Sequence, residues 1–132
     1  MEGMENMEGV KRSPVVDSIL RAAIEVHRGL GPGLLENAYE QCLARELALA
    51  SVPFEFQVPL PVVYKGVRID CGYRLDLVVA GEVIVELKSV EQLTAIHEAQ
   101  LLTYLKLSGL RRGLLINFNV RLLKNGVKSL LN

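Results

Sequence analysis

The stretch "RLDLVVAGEVIVELKS", residues 74–89, decides the fold. Two apolar runs with a period of two flank Ala80, Gly81 and Glu82, the pattern of a β-hairpin. In the first run Leu75, Leu77 and Val79 alternate with Arg74, Asp76 and Val78. In the second, Val83, Val85 and Leu87 alternate with Ile84, Glu86 and Lys88. Loop length sets the register. A loop of Ala80 and Gly81 alone puts Glu86 opposite Leu75 and mixes the faces. A loop of Ala80, Gly81 and Glu82 pairs Val79 with Val83, Leu77 with Val85 and Leu75 with Leu87. That keeps one face wholly apolar, and burial of a face is what normally fixes pairing. The same register sets Asp76 across from Glu86 and Arg74 across from Lys88.

Two carboxylates facing each other across a strand pair lie ~5 Å apart. At an effective dielectric of about 20 they repel by roughly 3 kcal/mol, less near solvent. Two readings of that arrangement are open. A divalent cation between the acids converts repulsion into coordination, and oxygen ligands suit Mg²⁺ or Mn²⁺. Lys88, on the same face as Glu86, can then hold an attacking water or stabilise charge on a phosphate. In the other reading the face is solvated, and Arg74 and Lys88 neutralise the acids through ordinary surface pairs.

Upstream, "FEFQVPLPVVY" at 54–64 and "VRIDCGYRLDLVV" at 67–79 flank Lys65 and Gly66, a tight hairpin turn. Val67, Ile69, Cys71 and Tyr73 extend the apolar face of Leu75, Leu77 and Val79 into one long strand. Pro59 and Pro61 interrupt the first strand or place it at an edge. Before the strands, Ser13 and Pro14 read as the cap and first position of a helix, with Ile19, Ala22, Ala23 and Val26 as its apolar stripe. "GLGPGLLE" at 29–36 is a turn too apolar and too short for a phosphate loop. A second helix runs from about Leu34 to Ala50, with Glu36, Tyr39, Leu43 and Leu47 on one face. Glu36 is either a partner of the helix dipole or a further acid of the site.

Downstream, a third helix spans about Thr94 to Leu107 and ends at Gly109. Ile96, Gln100, Thr103 and Leu107 form a stripe, and Tyr104 follows Gln100 by one turn. Gln100 and Tyr104 line a cleft or simply mark a polar margin. His27 and His97 read as ordinary helix residues outside any zinc spacing. "RRGLLINFN" at 111–119 is a buried strand, and another short strand or hairpin is expected around Asn125 and Gly126. The order is helix, helix, three strands, helix, strand: a mixed α/β domain.

The 132 residues suffice for one domain, expected over 13–132 behind a disordered acidic tail at 1–12. No apolar run approaches the ~18 residues of a membrane span, and "MEGMENMEG" is no signal peptide, so a soluble cytoplasmic protein is expected. Cys42 and Cys71 form no metal pattern and read as reduced, buried thiols. Formal net charge is zero, yet no acid follows Glu98 while Lys106, Arg111, Arg112, Arg121, Lys124 and Lys128 do. A basic face for a polyanion or a scattered solvated surface fits that asymmetry equally.

"GLLENAY" resembles the signature of the GxxExxY proteins through Gly33, Glu36 and Tyr39. Those proteins are similar to a branch of the PD-(D/E)xK nucleases, whose restriction-endonuclease-like core is helix, three antiparallel strands, helix, strand in a mixed sheet. In that superfamily an Asp on the second strand and Glu-x-Lys on the third serve Mg²⁺-dependent phosphodiester hydrolysis. Asp76 and "ELK" at 86–88 fit, although Leu75 stands where the superfamily name has proline. "QLLTY", Gln100 to Tyr104, resembles the Q-x-x-x-Y element of RecB-like nucleases. The resemblance implies a Mg²⁺- or Mn²⁺-dependent nuclease acting on nucleic acid, DNA ahead of RNA. Asp76, Glu86 and the Leu87 carbonyl would bind the cation, Glu36 would orient the attacking water, and Lys88 would assist its deprotonation or stabilise the phosphorane. Gln100 and Tyr104 would position substrate or a ligand, and if the acid-free C-terminal segment faces nucleic acid, Arg111 and Arg112 would contact it too. The competing class is a non-catalytic module that keeps the fold to bind nucleic acid or a protein partner, and self-association fits either.

Overall fold

A computed structural model describes Met4, Met7 and residues 9–132. Two helices come first, α1 (Pro14–Leu30) and α2 (Glu36–Leu49). The strands β1 (Phe54–Pro59), β2 (Val62–Tyr64), β3 (Val67–Ile69), β4 (Arg74–Val79) and β5 (Val83–Lys88) follow. Then come α3 (Ala95–Ser108), β6 (Arg112–Asn117), a 3₁₀ turn at Leu123–Gly126 and β7 (Val127–Leu131). The sheet order is β1-β4-β5-β6-β7, with β5 and β6 parallel and the other neighbours antiparallel. This is the mixed α/β sheet of a restriction-endonuclease-like core. Among the described residues no helix is long and apolar enough to cross a membrane.

Local signals set the helix ends. Ser13 Oγ accepts from the Val16 amide at 3.1 Å, with Pro14 opening α1. The Thr94 amide donates to His97 Nδ1 at 3.0 Å at the start of α3, and Gly109, at φ 78, closes that helix in the left-handed conformation.

The sheet is buried on both faces. Leu77, Val79, Val83, Val85, Leu87, Leu114 and Ile116 pack with α1 and α2 residues such as Ile19, Leu20, Tyr39, Leu43 and Leu47. Val78, Ile84 and Leu115 pack beneath Leu101 and Leu105 of α3. Met7 is buried in the first of these cores, with Met4 and Val10 against it. Within the segment expected as a disordered tail, Met7 is therefore buried and Arg12 pairs with Asp17, whereas residues 1–3, 5, 6 and 8 lie outside the described ones.

The hairpin register follows burial as expected: Val79 pairs with Val83 and Leu77 with Val85. The ladder stops there. Leu75 does not extend the Leu77 face but packs under α3, as does Val58, its partner on β1. Gln57, between the Phe56–Leu77 and Val58–Leu75 pairs, sits at φ 53. A non-glycine residue in the left-handed region costs ~1–2 kcal/mol and marks where β1 and β4 change face.

Two further expectations need correction. The long strand over 67–79 is broken into β3 and β4 at Gly72, φ 78, while Pro59 and Pro61 break its partner into β1 and β2. The result is a separate β2–β3 hairpin turning at Lys65 and Gly66, linked to the main sheet through the Leu60 amide donating to the Tyr73 carbonyl at 2.8 Å. Cys71 lies in the break and is exposed; Cys42 is only half-buried. Cys42 packs at the edge of the α1–α2 core without being fully buried, and Cys71 is exposed because the strand expected to bury it does not continue through it.

Asn117 fixes the chain where β5 ends. It is buried at the end of β6, opposite Lys88 in the parallel register. Its Oδ1 accepts from the Val90 amide at 3.1 Å and from the Asn119 amide at 3.1 Å, and its Nδ2 donates to the Val90 carbonyl at 2.9 Å. Asn117→Ala strands buried amide and carbonyl groups and should cost about 2–4 kcal/mol. Urea denaturation checks this against Glu91→Ala, an exposed control expected within ~0.5 kcal/mol of wild type.

Candidate active site

The end of β5 gathers nearly every residue singled out from the sequence. Glu36, Arg74, Asp76, Glu86, Leu87, Lys88, Gln100 and Tyr104 line one cavity of about 240 Å³. Four elements converge on it: α2, β4, β5 and α3 are fixed by the two cores and the Asn117 bridge.

Asp76 is held by the strand splay itself. Beyond the Leu77–Val85 pair, Asp76 Oδ2 accepts the Leu87 amide at 2.8 Å, so a side chain takes over the backbone's role. This spends one carboxylate oxygen on β5 and ties Asp76 beside Glu86. Glu86 is 5 % exposed, and its Oε1 is buried with no hydrogen-bond partner. Leaving a buried carboxylate oxygen unpaired is costly. Burial pushes the Glu86 carboxyl up to about 10, the adjacent Asp76 adds to the rise, and Lys88 opposes it. The solvated-face reading of the hairpin is therefore wrong for Glu86: no surface pair neutralises it.

Glu36 reaches the site from the opposite layer. Its Oε2 accepts the Ser89 amide at 3.0 Å, and Ser89 Oγ donates to the Leu34 carbonyl. The turn preceding α2 is set by Tyr39, fully buried and stacked on Phe118 at 4.5 Å. The Tyr39 hydroxyl donates to the Gly31 carbonyl at 2.6 Å and accepts the Leu34 amide at 3.1 Å. Gly33, at φ 102, supplies backbone freedom that a side chain would oppose. Glu36 thus has a partner across the fold, which a helix-dipole role alone does not require.

Lys88 Nζ donates to Gln100 Oε1 at 3.4 Å, joining β5 to α3. The Tyr104 hydroxyl is pushed up by burial and then by Glu86, Tyr73 and Asp76, so it remains a donor. Arg111 and Arg112 are elsewhere. Arg112 pairs with Val83, at the far end of β5 from Lys88, roughly 16 Å away at strand spacing, and both arginines line a different hollow with Glu82. A count of charges along the chain cannot say at which end of a strand they fall.

The sequence reading missed Glu40. One turn after Glu36, it is buried, accepts a hydrogen bond from Gln57 Nε2, and its carboxyl is raised by burial, Gln57 opposing and Asp76 adding. Its spacing of four from Glu36 was the available signal. Ser89 and Asn117, which position rather than line the cavity, carry no signal outside the fold.

A cation fits this donor set, because the buried Glu86 oxygen beside Asp76 has no hydrogen-bond partner in the protein. Among the described residues, however, no three His, Cys, Asp or Glu side chains are already gathered around one point. A carbonyl such as that of Leu87 has to complete the set.

Residues 13–130 match the PD-(D/E)XK nuclease superfamily, and the chain belongs to it. No curated protein and no solved structure matched.

The Glu86 shift gives a signed test. Without metal, between about pH 5 and 9 the unfolded chain has lost this proton and the native chain keeps it. Stability is therefore full at low pH and falls as pH rises, by up to ~1.4 kcal/mol per unit from this group. Glu86→Gln should remove that slope in chemical denaturation performed in EDTA at several pH values; Glu40, common to both proteins, cancels in the difference.

Proposed function

We propose that the protein is a metal-dependent nuclease hydrolysing phosphodiester bonds of nucleic acid, DNA ahead of RNA, and a member of the GxxExxY branch. The observation that carries this reading is the buried, unpartnered Glu86 oxygen beside Asp76, in a cavity that also holds Lys88 and Glu36. The branch assignment rests on Gly33, Glu36 and Tyr39 having separate tasks: left-handed backbone, a carboxylate at the cavity, and a hydroxyl clamp on the turn between them.

Asp76, Glu86 and the Leu87 carbonyl would hold Mg²⁺ or Mn²⁺. Bound there, the cation supplies charge that polarises a phosphate and acidifies water. The chain's own groups do the rest. The Leu87 amide keeps one Asp76 oxygen fixed and leaves the other for the cavity. Glu36, anchored by one oxygen to Ser89, has the second free to accept a proton of the attacking water and orient it. Lys88, steered by Gln100, donates to a phosphate oxygen on which charge grows. Tyr104 and Gln100 supply further donors at the cavity wall.

Purified protein should cleave DNA in Mg²⁺ or Mn²⁺ and stop in EDTA. Lys88→Ala and Asp76→Asn should each lower the rate by at least about 100-fold. At a hundredfold excess over its dissociation constant, Mn²⁺ should stabilise wild type by ~2.7 kcal/mol, and Asp76→Asn should lose most of that rise. Cleavage that persists in Lys88→Ala would point to a contaminant and sink the assignment.

A further inference from the structure

The stripe on α3 does not face the core. Leu101, Tyr104 and Leu105 are its buried residues, whereas Ile96 is 72 % exposed and Leu107 37 %. Ile96, Gln100, Thr103 and Leu107 instead line an open cleft of about 450 Å³, closed on its other side by Val62 and Tyr73. Ala99 and Tyr104 complete its wall, and none of these residues is charged. Tyr73 and Tyr104 meet at 6.2 Å and 53°, so they form an aromatic corner rather than a stack on each other.

The cleft is continuous in two directions. Gln100 and Tyr104 also line the carboxylate cavity, so whatever lies in the cleft abuts Asp76 and Glu86. Away from the cavity, Val62 shares its face of the β2–β3 hairpin with Tyr64, Val67 and Ile69, through the pairs Val62–Ile69 and Tyr64–Val67. Those three are 60 %, 59 % and 41 % exposed. Such a run of exposed apolar and aromatic surface marks a binding face. The same hairpin carries Lys65 and Arg68 against a single nearby acid, Asp70, and Lys65 Nζ lies 5.5 Å from the Tyr64 ring centroid.

Aromatic faces beside cations, leading into a phosphate-cleaving cavity, suit one ligand chemistry: a nucleobase whose own phosphate enters the cavity. A paired base keeps its faces inside the helical stack and cannot offer them to a tyrosine. We infer that this cleft receives the base of an unpaired nucleotide, making single-stranded nucleic acid the substrate of the proposed nuclease, on which reading the inference rests. Stacking on aromatic rings tolerates any base, so the cleft selects for strandedness and not for sequence. A second copy of the chain is the competing occupant. It would seal Gln100 and Tyr104, and with them the carboxylate cavity.

The test is fluorescence anisotropy in Ca²⁺ with fluorescein-labelled oligothymidylate, alone or annealed to oligoadenylate, each probe checked as intact afterwards. Tyr73 is 47 % exposed, so its variants should fold. Wild type should bind the single strand more tightly than the duplex. Tyr73→Leu, which keeps apolar bulk without a ring, should weaken single-strand binding by about tenfold, and Tyr73→Phe should retain it. Equal affinity for both probes, or a Leu variant indistinguishable from wild type, overturns the inference. So does sedimentation showing a wild-type dimer that Tyr73→Leu dissociates without change in single-strand binding. A cleavage assay separates the two readings. Preferential single-strand binding without cleavage keeps the cleft and removes the nuclease; cleavage without strand preference does the reverse.

Discussion

Two carboxylates forced together where a strand pair comes apart are the constraint on which this structure turns. Leu77–Val85 is the last backbone pair of the central hairpin, and the next link is Asp76 accepting the Leu87 amide. That substitution of a side chain for a carbonyl opens the strands beside Leu87, which lines the cavity, and sets Asp76 against a nearly buried Glu86. The fold tolerates the arrangement by keeping a proton on Glu86, and a cation is the natural replacement for that proton. The left-handed backbone at Gln57, across from Asp76, lies at the same point. Strain and an unsatisfied buried group coincide at one level of the sheet, as expected where function opposes stability.

The surrounding elements make sense as supports for that point. Tyr39 and Phe118 stack in the core under α2, an arrangement worth ~0.5–1.5 kcal/mol beyond area burial, and the Tyr39 hydroxyl shapes the turn that delivers Glu36. Asn117 binds Val90 from β6, so the residue next to it, Ser89, presents its amide to Glu36 at a fixed place. Loss of these contacts would misplace Glu36 without touching the cavity. Motif residues that look unrelated in sequence are thus parts of one clamp.

Much of this was legible in the sequence, for reasons that also explain what was not. Period-two burial dictated the pairing of Leu77 with Val85 and hence the proximity of Asp76 and Glu86. Helix caps at Ser13 and Gly109 were equally readable because they depend on neighbouring residues alone. The same alternation misled beyond Asp76, since it assumes a continuous ladder; Gly72 and the two prolines break it, Leu75 changes core, and Cys71 ends exposed. Arg111 and Arg112 lie toward the other end of the strands from the carboxylate cavity, and charge along a chain carries no information about which end of a strand that is. Glu40 was overlooked because a glutamate on an amphipathic helix ordinarily faces water. The α3 stripe read as a single face, and the structure makes that face a cleft wall rather than core.

In the proposed cation site of Asp76 and Glu86, a proton keeps Glu86 neutral until a metal replaces it. Calorimetric titration with Mn²⁺ near pH 7, repeated in buffers of different ionisation enthalpy, counts the protons released on binding. About one proton should leave per ion bound, and Glu86→Gln should abolish the release. Tight binding with no proton release would contradict this, because the cation would then be displacing nothing from the buried carboxyl.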